Sequence, residues 1–556
     1  MTPTDNFSTY YDDLLSGHYD CVDRLILNAY FPMGHDPGGF RAWWRKLTGG
    51  DETLDNTHLM RMAGNLSRRL HAYAKAHAIP ITHCEPGTRK HEMAEIQLPT
   101  DPTFRGVFLI LVARAKAPLW DIKRTESTIQ NIQRKDSFVN HYYFHIQDPE
   151  WGHICIKMCG HPPFPVTFML NGHEWVERIA SNQNLTFTKE GNCFTDTNSW
   201  SDLDQFAETL STTSAIERLI EVIKRWVISS CLIFALDEAE QEQSGFQYAF
   251  SCYQLEYSRN LVFKRGTDLD RLFQALIDRT RSTLDVKKIL TLFGAKRRPS
   301  RHRSSKKSQR SSNPLPRLEI SVERPTHDLT IFKCHFGLLT LKIYAKGERV
   351  LRVEAIAHNA KALKQGTVLS KLPNLVIALQ SMAIRFLDVL RAAHPATLDP
   401  ESLAALAKPS QRGAARLAGI DLNSLRMRAV LHALCAMGAA PIGFRIQDLA
   451  DKVCEQTGWN PINYSRRQAA YDLNKVRGKG LITRIGRTHR YQLDLMPAST
   501  AYAALLLHEQ VLTPVVSLVA HKKSYTEREP QHELDRHYLK LHEALMTTMQ
   551  AIGIAA

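Results

Sequence analysis

The sequence predicts a multidomain α+β protein, an antiparallel sheet body with helices followed by a smaller C-terminal unit. Three observations predict it. A chain of 556 residues exceeds one ordinary domain. Its apolar residues switch repeatedly between the helical period of 3.6 and the strand period of 2. Its composition, 44% hydrophobic and 23% charged, belongs to a globular chain and excludes the disordered and collagen-like classes.

Taken in order, residues 1–100 read as a mainly helical part. Leu59, Met62, Leu66, Leu70 and Tyr73 recur at helical spacing over 56–78. Residues 101–293 read as an α+β core. GVFLILVARAK and PLWDIKR are expected as two strands about a tight turn, and SFVNHYYFHIQD, HICIKMC and PVTFML as three more. Asn171 is placed to cap the helix GHEWVERIAS. Helices are then expected through SDLDQFAETL, AIERLIEVIKRWVISSCLIFAL, FQYAFSCYQLEYSRNLVF and DLDRLFQALIDRT.

The Ser/Lys/Arg/Pro tract 294–317 has too few apolar residues to fold and reads as a basic flexible linker. Four alternating segments, LEISVE, HDLTIFKCH, GLLTLKIYAK and ERVLRVEAIA, open a second α+β part, 318–415, that completes the body. Residues 424–495 hold three helical segments and a hairpin, LITRIGRTHRYQLD, and 496–556 form C-terminal helices.

Charge narrows the function. The net of +15 is carried entirely by two windows. Residues 296–310 hold eight Lys/Arg and no acid, and residues 464–490 hold eight against one Asp, while the remaining 514 residues balance at 55 of each sign. A neutral molecule with two basic patches points to a polyanion, most simply nucleic acid. The first patch reads either as a salt-sensitive tether or as a solvated linker. Trp226–Leu236, 11 residues with two serines, is about half of a bilayer span and predicts a buried helix. An acidic N-terminus without a signal pattern, and ten cysteines without a dense framework, predict a cytoplasmic protein with no membrane partner.

The second patch has a geometry. In its helix, Ala469, Leu473 and Val476 share one face, while Arg467, Tyr471 and Lys475 follow at i, i+4 and i+8 on another. Arg466, Arg477 and Lys479 add charge, and the hairpin brings Arg484, Arg487 and Arg490 to its tip. This suits a helix in a major groove with an arginine wing on the phosphates. The run NKVRGKGLITRIGRTHRY resembles winged-helix regulators of the MarR type, which implies a winged helix-turn-helix and double-stranded DNA as partner. Winged helices also dock proteins, and that reading stays open.

In LTLKIYAKGERVLRVE a turn at 347–349 sets Lys342 opposite Glu354 and Tyr344 opposite Arg352. Such a quartet can hold a metal or a scissile phosphate, or it can be opposite charges pairing across strands. Asp23 and Glu256 are further candidate carboxylates. Their bland readings are a surface pair with Arg24 and an intrahelical pair with Arg259. His153, Cys155, Cys159 and His161 share one strand face but are too far apart to close together on one zinc.

The segments LSGHYDCVDR, NHYYFHIQDPEWG, PPFPVTFMLNGHEW, CYQLEYSRNLVF and LKIYAKGERVLRVE make the chain similar to a widespread family of uncharacterised bacterial proteins, over residues 14–493. The likeness implies a shared core and no activity. The family carries an acid where this chain has Ala345, and it lacks the Cys/His set.

The expectation is a DNA-binding protein acting through its C-terminal winged helix in a mobile-element or regulatory context, with a homodimer formed through the periodic segment 531–550. The alternatives are a metal-dependent nuclease or replication initiator, using Lys342, Glu354, Asp23 and Glu256 with Mg2+, and an RNA-binding protein.

Overall fold

Residues 15–30 run as a central strand through the middle of the protein, where sequence periodicity suggests only a helical N-terminal part. The computed structural model describes residues 5–101, 103–125, 128–281, 318–326, 329–336, 338–392, 400–412, 415–438, 440, 443–513, 515 and 533–552. The basic linker 294–317 lies outside the described residues.

Among the described residues, the body is built on one 11-stranded sheet. Its strands are β1 (Leu15–Tyr30), β2 (Ile81–Cys84), β3 (Gly106–Arg124), β4 (Ile129–Asp148), β5 (Gly152–Cys159), β6 (Val166–Asn171), β9 (Ala249–Phe263), β10 (Leu318–Thr326), β11 (Leu329–Phe336), β12 (Leu339–Lys346) and β13 (Val350–Ala357). A small hairpin of β7 (Phe187–Lys189) and β8 (Phe194–Thr197) stands apart from it. The order is β10-β11-β12-β13-β9-β1-β6-β5-β4-β3-β2, antiparallel except for β2 on β3. Strands from the stretches 1–100, 101–293 and 318–415 thus join in this one sheet. The coarse class holds: the protein is mixed helix and strand around a large sheet.

Three local expectations change. FQYAFSCYQLEYSRNLVF is largely the strand β9, not a helix. Flanked by β1 and β13, β9 is buried on both faces from Tyr257 to Phe263, which removes the alternation that would have marked it as a strand. GVFLILVARAKAPLWDIKR is one strand of 19 residues, not two about a turn. Pro118 is tolerated because β2 covers β3 only over Ile110–Ala113, leaving the rest of that side an edge with no ladder bond to lose. The Trp226–Leu236 run is buried only in part and continues the helix Ser214–Ile223 as a π-helical stretch, Lys224–Cys231, and a 3₁₀ turn. No helix among the described residues is long and apolar enough to cross a membrane.

Other elements form where their signals lie. Asp55 caps the helix Asn56–Ala76, which buries Leu59, Leu66 and Leu70. The Asn171 side chain accepts from the His173 amide at the start of Gly172–Asn182.

A second core lies C-terminal to the sheet. It gathers the helices Leu425–Met437, Ile446–Thr457 and Arg466–Gly478, hereafter first, second and third, and two hairpins stand against the third helix. The hairpins are β14 (Ser410–Arg412) with β15 (Ala415–Leu417), and β16 (Ile482–Arg484) with β17 (Tyr491–Leu493). The helix Leu495–Leu507 belongs to this core and also packs on Leu372–Ala392 of the body. Glu533–Ala551 is a further helix, covering most of the periodic segment 531–550.

Candidate functional sites: a buried ion network and an exposed basic face

In the body, the register of β12 and β13 is the expected one: Lys342 pairs with Glu354 and Tyr344 with Arg352. Glu354 Oε2 lies 3.2 Å from Lys342 Nζ, and Oε1 accepts from Tyr344 at 2.5 Å and from Arg352 Nε at 3.0 Å. The same guanidinium reaches across β9 to β1, where Arg352 Nη2 donates to Asp23 Oδ2 at 2.5 Å. Its Nη1 donates to the Asn192 carbonyl at 2.6 Å. Asp23 is completed by Ser258 Oγ at 2.9 Å and His173 Nδ1 at 3.0 Å.

Asp23 is therefore no surface pair with Arg24. It is 4% exposed, while Arg24 faces Glu256 across 3.9 Å. Burial raises the Asp23 pKa, and Arg352 and His173 outweigh that and hold the carboxyl below its ordinary range. Burial opposes the charge of Arg352 too, yet Asp23, Tyr344 and Glu354 keep it firmly protonated.

Strand alternation also separates Glu256 from Arg259. Ser258 and Asn260 share the Asp23 face with Glu256, whereas Tyr257 and Arg259 point to the other face, where both bond Asp20 Oδ2 and Arg259 also meets Asp5. Glu256 bonds Gln254, and burial raises its pKa.

The quartet thus exists, but a guanidinium occupies the space between Asp23 and Glu354 that a shared metal ion would need. Among the described residues no group of three or more His, Cys, Asp or Glu could hold a metal. His153 pairs with His145 of β4 at 3.0 Å. These histidines, with Asp23, Tyr143, Glu174 and Glu256, line an open groove of about 900 Å3 on the sheet face. Burial and the neighbouring His153 push the His145 pKa down to about 3, so its ring is neutral, and burial pushes Cys155 up to about 12, so its thiol is not a ready nucleophile.

In the C-terminal unit the charges stand outside. Ala469, Leu473 and Val476 are buried as expected. Ser465 and Gln468 close a capping box at the start of the third helix. Arg466, Arg467 and Tyr471 are exposed on it, and Lys475 Nζ lies 5.3 Å from the centre of the Tyr471 ring. Below, Asp472 is fully buried and accepts from Arg426 at 3.0 Å and Tyr464 at 3.1 Å. Residue 444, between the first and second helices, bridges to Tyr491 through two backbone bonds of 2.9 and 2.8 Å, adding a third strand position to the β16–β17 hairpin.

The other predicted contacts divide. Arg487 is exposed at the hairpin tip, and Arg484 braces that tip by donating to the carbonyls of Thr488 and Arg487. Arg477 sits 5.9 Å from the centre of the Tyr491 ring. Lys479 is committed to the carbonyls of Ala405 and Lys408, and Arg490 reaches the Gly443 carbonyl at 3.1 Å. Those last two act first as internal ties. Arg412, absent from the sequence candidates, donates to Asn474 Oδ1 at 2.7 Å. Only tertiary packing of β14 against the third helix brings it there.

No family model, curated protein or solved structure matches this chain.

Proposed function

We propose that this is a DNA-binding protein that contacts duplex DNA through its C-terminal unit, a winged helix. The order first helix, bridge at 444, second helix, third helix, hairpin supports that reading. The carrying observation is the exposed Arg466–Arg467–Tyr471 face of a helix whose opposite face buries Ala469, Leu473 and Val476, with the arginine tip of β16–β17 following it. Cations held free of internal partners meet phosphates, and a planar ring beside them meets a base edge or sugar. In the body, Asp23 and Glu354 are both taken up by Arg352, while Glu256 bonds Gln254 and faces Arg24, which favours the binding reading over a shared metal site.

The test is fluorescence anisotropy with duplex DNA, single-stranded DNA and RNA across a salt series. Duplex binding should weaken steeply with salt, and Arg467→Ala with Arg487→Ala should cost about tenfold or more. Unchanged duplex affinity in that variant would sink the proposal. Tighter binding of RNA than of duplex DNA would move the same face to an RNA partner.

A further inference from the structure

The geometry points to a second phosphate-gripping arm on this interface: the β14–β15 hairpin, with Arg412 as its contact residue. This rests on the DNA-binding reading above. The hairpin is docked on the C-terminal half of the third helix. Ser410 and Leu417 pair across it and face Gly478, where an added Cβ would stand 2.5 Å from Ser410 Oγ and 3.0 Å from Leu417 Cδ1. Glycine permits the close approach. Lys479 ties down the chain just before the hairpin through the Ala405 and Lys408 carbonyls. The third helix therefore touches two hairpins, β14–β15 and β16–β17.

Alternation places Arg412 on the Ser410 side of its strand, toward the helix, and there its Nη1 donates to Asn474 Oδ1. Both residues are exposed. Asn474 continues the row of Arg467 and Tyr471, at i+7 from the first and i+3 from the second.

That one bond decides the chemistry of the spot. With its oxygen accepting from the guanidinium, Asn474 still has an NH2 to donate. Bidentate reading of adenine uses both the oxygen and the nitrogen of an asparagine, and here the oxygen already accepts one bond from Arg412, so the pair is not free for that reading. Arg412 keeps further N–H groups, and Lys475 beside Asn474 adds an ammonium. A solvent-facing set dominated by N–H donors, with two cations in it, matches phosphate oxygens better than a mixed base edge.

The experiment uses the full chain and mixed-sequence duplexes of about three helical turns, comparing Arg412→Gln, Arg412→Lys and Arg467→Ala by salt-titrated anisotropy. Arg412→Gln should lower the slope of log affinity against log salt by about 1 and weaken binding about fivefold, equally on unrelated sequences. Arg412→Lys should keep the parent's slope. If Arg467→Ala weakens binding while Arg412→Gln matches the parent, the arm is overturned and the winged-helix reading stands. A loss confined to some sequences, or an equal loss of slope in Arg412→Lys, also overturns it, as base reading or as a purely structural tie. If the parent does not bind duplex DNA, the reading and the arm fall together.

Discussion

Arg352 and Arg467 are the same residue used in opposite ways, and they stand for the two halves of the molecule. In the sheet, Arg352 is fully buried and is paired with two carboxylates, Asp23 and Glu354. On the third helix, Arg467 stands in solvent above an apolar face. A paired buried charge organises the fold, while an exposed cation on a rigid helix is available to an outside polyanion. Basic residues therefore speak about function only once their partners are known.

The comparison can be broken most directly at Arg352. We predict that Arg352→Met costs about 3–5 kcal/mol, because it leaves Asp23 buried without its guanidinium and Glu354 with Lys342 as its remaining cation. Urea denaturation followed by tryptophan fluorescence reads the loss. A cost under about 1 kcal/mol would mean that the network is ornamental.

The C-terminal unit has a smaller buried knot of its own. Asp472→Ala strips the partner from Arg426 and Tyr464 beneath the third helix and should cost about 1–3 kcal/mol. Hydrogen exchange of the third helix should accelerate, and protection equal to the parent's would argue that the helix is held by its apolar face alone.

Acid sharpens the contrast further. The folded state keeps His145 neutral, with a pKa of about 3, against about 6.5 in an unfolded chain. The unfolded chain takes up the proton first as pH falls. Stability from this site is complete above about pH 6.5 and is lost as pH drops toward the folded value, at up to about 1.4 kcal/mol per pH unit. His145→Asn should flatten that limb. An unchanged slope would show that the ring is protonated in the fold.

The smallest expected effect is the most diagnostic. Arg467→Ala with Arg487→Ala should leave unfolding stability within about 0.5 kcal/mol of the parent while duplex affinity falls. A large stability loss would place these arginines among the structural ones.

Sequence reading reached the C-terminal unit further than the body, for a physical reason. The face of the third helix is a local property: 3.6-residue periodicity sorts Ala469, Leu473 and Val476 from Arg467 and Tyr471 without any knowledge of the rest. The hairpin register of Lys342 with Glu354 is local too, set by one turn. The strand β9 was not legible, because burial on both faces erased its alternation. Asp23 was not legible either: its partners Arg352, His173 and Ser258 come from three distant elements, and Asp23 beside Arg24 in sequence looks like any surface pair.

By itself the sequence determined an α+β class, a charge surplus confined to two windows, and a helix with one apolar and one basic face. Each follows from composition or from a period shorter than ten residues. Only the tertiary structure decided which charges are spent inside. It joined β1, β9 and β13 so that one guanidinium neutralises two carboxylates, it bound Lys479 and Arg490 to backbone carbonyls, and it set Arg412 on Asn474. Those outcomes depend on which strands and hairpins become neighbours, and that is fixed by burial of the whole core rather than by any local pattern.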